Sequence, residues 1–275
     1  MSAVPVWAMF IGTIVLVVAS IEVGYSVGAL VHKRSKEEKE SPSSVVSQSV
    51  LALTAFMLAF TFSNVANRFE TRKQLVREEA NAIGTAWLRA DFLSEQDRDA
   101  SRKIMREYVA ARLALYELRS TTTNIPGSFL AEAEQSHSRL WEIAVANAYQ
   151  EMRPHFSALY VQSINEVIDI HALRVAHGPG TRVPTAIWLA LLGLVVLGMI
   201  AAGYQAGISG SKKPKSRPIL AVSFALVVAM IADLDRPGGG FIGVSHQPLI
   251  DLQTSIANIA SRSELDGTLQ PEGIE

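Results

Sequence analysis

Residues 44–77 read SVVSQSVLALTAFMLAFTFSNVANRFETRKQLVR, with no glycine or proline anywhere in the run. The first two thirds are apolar enough to cross a bilayer, and the rest is charged. With nothing to break it, a single helix must pass from lipid-compatible into water-compatible sequence. Positions four apart stack on one face of a helix. Here that face carries Gln48, Ala52, Phe56, Phe60, Asn64 and Arg68. The stripe therefore runs from an amide, through two aromatics, to a second amide and a cation. Copies of such a helix set around an axis enclose a pore with a greasy constriction and polar mouths, and dewetting at such a constriction gates ions. The plainer alternative is that Phe56 and Phe60 pack against lipid or neighbouring helices.

A mean hydropathy of +0.21 over the chain implies several membrane spans beside a water-soluble part. Spans are expected at 4–31, 45–66, 183–207 and 218–232. The first is too long for a cleavable signal peptide and has no basic segment before it. It contains Glu22, an acid at membrane depth and so a functional candidate, followed by Gly24 and Gly28 at the GxxxG spacing that lets helices approach closely. A place near the membrane interface, or a hydrogen-bonded one within the bundle, is an equal alternative for Glu22.

Residues 67–182 read as amphipathic helices. Val76, Ala80, Ile83, Trp87 and Ala90 continue the second helix as an apolar stripe. Ser94 with Asp97 caps a further helix whose stripe is Ile104, Tyr108, Ala111, Leu115 and Leu118. The fold class is thus an all-α membrane protein: four transmembrane helices, with a soluble helical bundle inserted between the second and third. The expected division is 1–66 for the first two spans and their basic loop, and 67–182 for the soluble domain. Residues 183–237 hold the last two spans and a basic turn, and 238–275 a tail with a short amphipathic helix. The acidic end, 263–275, is expected to be disordered. The fourth span closes on Asp233, Asp235, Arg236 and Pro237, then a three-glycine run expected to act as a joint.

The two short loops each carry four Lys or Arg residues, which places both in the cytoplasm and the soluble domain outside. A net charge of -1 argues neither for nucleic acid nor for an acidic ligand as the main partner, and the absence of cysteine excludes disulfides and thiolate chemistry. No nucleotide-binding, zinc-protease or nucleophile-elbow motif occurs, so neither an enzyme nor a cofactor is expected. Asp169 and His171 could form half a metal site, but His171 lies on an apolar stripe and reads better as a packed, hydrogen-bonded histidine.

Leu58-Ala-Phe60, Arg68-Phe69 eight residues on, and Arg72 resemble the end of the pore-lining helix in the bestrophin family. EEANAIGTAWLRAD (78–91) and DLDRPGGGFIGVSHQPL (233–249) are similar to the bacterial bestrophin-like proteins in particular. The resemblance implies a homopentameric anion channel in the cell membrane, self-associated around the second helix, with the lipid bilayer and small ions as its other partners. It sets Phe56 and Phe60 on the family's hydrophobic neck, and Ala52 on a third neck position where the family carries a bulkier residue. Gln48, Asn64, Arg68 and Arg72 would line the mouths. The resemblance also implies a cytoplasmic soluble domain, against the charge count. The second arginine comes four residues after Arg68 rather than five, Phe69 stands where the family often has paired tryptophans, and the acidic calcium clasp of animal bestrophins is missing. Calcium gating therefore does not carry over. Two other readings remain: a non-conducting receptor or scaffold displaying its helical bundle to a ligand or partner, and a transporter using Glu22 as a proton site.

Overall fold

The structure, a computed structural model, describes residues 4–34, 43–121, 127–149, 154–178, 182–210, 217–236 and 240–268. Among these the chain is helical and contains no strand. In order come α1 (Val6–Arg34), α2 (Ser43–Arg89), one turn of 3-10 helix at Ala90–Phe92, α3 (Glu95–Thr121), α4 (Ser128–Ala148), α5 (Pro154–Ala176), α6 (Thr185–Ile208), α7 (Arg217–Leu234) and α8 (Gln247–Thr268). Helices α1, α2, α6 and α7 are long and apolar enough to cross a membrane. Two compact units result: Met1–Phe69 with Thr181–Ile242, and Glu70–Gly180 with Gly243–Glu275. Helix α2 is continuous over 47 residues and contributes to both.

In the first unit α1 and α6 pack backbone to backbone. A Cβ on Gly24 or Gly28 of α1 would overlap the carbonyl oxygens of Ile200 or Tyr204. A Cβ on Gly203 or Gly207 of α6 would overlap those of Ile21 or Tyr25. The GxxxG of the first span therefore meets a second GxxxG in the third, which the sequence reading did not single out. Lipid supplies no hydrophobic drive for helix association, so close van der Waals approach of this kind has to hold the pair. Val17, Ile21, Leu58, Val65, Val195, Met199 and Ile231 fill the space around it.

The second unit is built on water-soluble logic, an apolar interior under charged faces. Ile83, Trp87, Ile104, Met105, Leu140, Tyr160 and Ile164 make up much of its core. Helix α3 starts where the capping signal sets it: Ser94 Oγ accepts from the Asp97 N–H at 3.3 Å and donates to Asp97 Oδ2 at 2.8 Å. Helix α8 sends Leu249 and Ile256, two turns apart, into the same core. It remains helical to Thr268, so the expected disorder from 263 onward does not hold for residues 263–268; residues 269–275 lie outside those described.

Candidate functional site

Helix α2 divides lengthwise into two faces. Ser47, Thr54, Leu58, Thr61 and Val65 are buried, and the Thr54 hydroxyl lies 2.7 Å from its own-turn acceptor Val50 O and 3.2 Å from Leu194 O of α6. Side chains of Val50, Leu51 and Thr54 sit against Gly198 of α6, which leaves them room because it has no side chain. The opposite face carries Gln48, Ala52, Phe56, Phe60 and Asn64, all exposed. Phe56 keeps 65% and Phe60 60% of its surface open. One turn on, Arg68 is half-buried, with Nη1 buried and unpaired. Arg72 is half-buried too, after a further turn.

Glu22 is salt-bridged to Arg217 at the start of α7, with Oε1 2.5 Å from Nη1. The same guanidinium lies 4.8 Å from the centre of the Tyr25 ring.

The acids after the fourth span act on backbone. Asp233, at the end of α7, accepts from the N–H groups of Phe241 at 2.9 Å and Ile242 at 2.8 Å. A Cβ on Gly240 would overlap that carboxylate, which accounts for a glycine there. Asp235 accepts from the Val183 N–H at 2.9 Å, just before α6 begins. Arg236 donates to the Val4 carbonyl and reaches Met9 Sδ at 3.9 Å. Pro237, Gly238 and Gly239 lie outside the described residues. The acids thus fasten chain segments together.

Asp169 and His171 do not converge. Asp169 is exposed and accepts from Asn165, whereas His171 is buried. No cluster of three metal-type side chains occurs among the described residues.

What the sequence reading missed is a buried polar cluster in the second unit. Glu79 is fully buried and faces two guanidiniums: Arg112, whose Nε is 3.2 Å from Oε1, and Arg174, bonded to Oε2. The Tyr108 hydroxyl donates to Glu79 Oε1 at 2.7 Å and contacts His171 Nδ1 at 3.0 Å. His137 packs against both rings, and Arg174 also reaches His246 Nε2 at 3.2 Å. Burial pushes the Tyr108 hydroxyl up to about 12. Burial, reinforced by the Arg112 charge, holds His137 and His171 down to about 4, so both rings are neutral at pH 7. A signal existed, since Glu79 falls on the stripe of Val76, Ala80 and Ile83, where a charge is out of place.

Four helices able to cross a membrane, one with an aromatic face left open, together with a water-type helical unit, define an all-helical membrane protein. The chain belongs to the bestrophin-like family, whose bestrophin-like domain matches residues 14–249. Its fold is similar to the crystal structure of a bacterial bestrophin homologue from Klebsiella pneumoniae, with a TM-score of 0.57 at 16% identity over 88% of this chain and 95% of that one. Two crystal structures of a membrane protein match with TM-scores of 0.56, one at 14% identity over 89% of this chain and 98% of that one, the other at 15% over 88% and 97%. None of the curated proteins matches the chain at a significant level.

Proposed function

We propose that the chain assembles as a homopentameric ring around α2 and passes small anions through the cell membrane. The observation that carries this reading is the open face of α2: its own chain covers Thr54, Leu58, Thr61 and Val65 but leaves Phe56 and Phe60 bare. In the ring, those two side chains form the constriction, with Ala52 as its wider third level. Gln48 and Asn64 line the mouths, and Arg68 and Arg72 supply the positive charge that repels cations and concentrates anions. Glu22, tied to Arg217, braces α1 against α7.

Halide flux into liposomes holding the purified protein tests the assignment. Wild type is expected to conduct, and Phe56→Ala with Phe60→Ala to raise the flux several-fold by removing the dewetting step. Equal flux in wild type and the double variant removes the constriction from α2.

A further inference from the structure

Helices α4 and α5 flank an open cleft of about 720 Å³, large enough for a small organic molecule. Trp141 of α4 and Ile168 and Val175 of α5 make its walls largely apolar, with Glu134 exposed at the rim. His137 and His171 line it from below, only 6% and 5% exposed, their rings edge to face with centroids 4.6 Å apart.

The hydrogen bonds fix what these rings offer. Tyr108 has one hydroxyl proton, and the Glu79 carboxylate, which can only accept, takes it. The Tyr108 oxygen must then accept from His171 Nδ1–H, which leaves Nε2 of the neutral ring as a bare acceptor. Nε2 of His171 and Nε2 of His137 are both buried and without a partner, although buried polar atoms are as a rule satisfied. The charges packed around them are Glu79 of α2, Arg112 of α3 and Arg174 of α5, with Tyr108 between and His246 beyond Arg174. Two guanidiniums share one carboxylate, so the cluster beneath the cleft carries an excess of positive charge. That excess disfavours a cationic guest and favours an anion. His171 Nε2, a bare acceptor, cannot hold an anion, however, unless a proton comes with it.

We propose that this cleft binds a small organic acid with an apolar body, taken up together with one proton. The proton passes from solvent to His171 Nε2, turning the acceptor into a charged donor for the carboxylate, and the apolar body lies along Trp141, Ile168 and Val175. Nothing in this step depends on conduction, so it stands or falls separately from the channel reading.

The test is isothermal titration of the full-length protein in lipid nanodiscs with sodium benzoate, at about pH 6 and about pH 8, each in two buffers of different ionisation enthalpy. About one proton should be taken up per benzoate, and affinity should fall about tenfold per pH unit. His171→Gln should weaken binding at least about tenfold and abolish the proton uptake. Ile168→Trp, which fills the cleft and leaves both histidines in the chain, should abolish binding while helical content is kept, and it decides the matter should the His171 variant not fold. Benzoate binding that ignores pH, benzyl alcohol binding as tightly as benzoate, or full binding in the Ile168 variant would each overturn the proposal.

Discussion

The two units of this chain solve the same problem, holding long helices together, by opposite means. In the first, α1 and α6 touch through glycines, with backbone against backbone at Gly24, Gly28, Gly203 and Gly207. In the second, large side chains such as Trp87, Tyr108 and Tyr160 are buried whole, and a charged cluster sits among them. The solvent explains the contrast. In water, removing large apolar surface is itself the driving force, about 25 cal/mol per Å². In lipid that term vanishes between helices, and close approach together with interhelical hydrogen bonds, such as His32 Nδ1 to the Ile208 carbonyl at 2.7 Å, is left to stabilise the pair. A buried ion cluster fits the same division. Breaking such a cluster by removing one partner is expensive, because it strands an uncompensated buried charge.

The sharpest way to break the comparison is to put a side chain between α1 and α6. Gly203→Leu should drive the two helices apart and leave no monodisperse protein on gel filtration in detergent, whereas Gly84→Leu, facing only the tip of Leu252 in the second unit, should be tolerated far better. The counterpart in the second unit is Glu79→Ala, which strands two guanidiniums and should cost about 3–5 kcal/mol in thermal or denaturant unfolding. A smaller loss, about 1–3 kcal/mol, is expected from Asp233→Ala, which leaves the N–H groups of Phe241 and Ile242 without their acceptor. A further effect depends on pH and is confined to the second unit. His137 and His171 sit near 4 when folded, against 6.5 when unfolded, so the unfolded chain binds more protons between those values. Stability is full above about pH 6.5 and declines as pH falls toward about 4, which thermal unfolding followed over that range will show. A decline that persists in the His137→Gln, His171→Gln double variant would assign it elsewhere.

The spans, the continuity of α2 and the Ser94 cap were legible because each rests on neighbours in sequence. A helix needs only an unbroken run, and a cap needs two residues three apart. The first GxxxG was legible as a pattern, but its meaning was not, since Gly203 and Gly207 give it meaning from some 180 residues away. Glu79 was hidden for a related reason. Its place on the stripe of Val76, Ala80 and Ile83 marks it as inward-facing, but the partners that satisfy it, Arg112 and Arg174, arrive on other helices and leave no local pattern. Asp233 and Asp235 read as isolated acids because their partners are backbone N–H groups, which every residue but proline carries and no sequence pattern marks. The face of α2 could be drawn from spacing alone, and the structure adds which half of that helix its own chain covers.

With only hydrogen atoms separating α1 from α6 at four successive levels, neither helix can slide, roll or rotate without a collision of main chains. The two therefore behave as one girder. Any relative motion within the first unit then falls to helices seated on side chains rather than on main chain, and α2, which meets Gly198 of α6 through Val50, Leu51 and Thr54, is one of these.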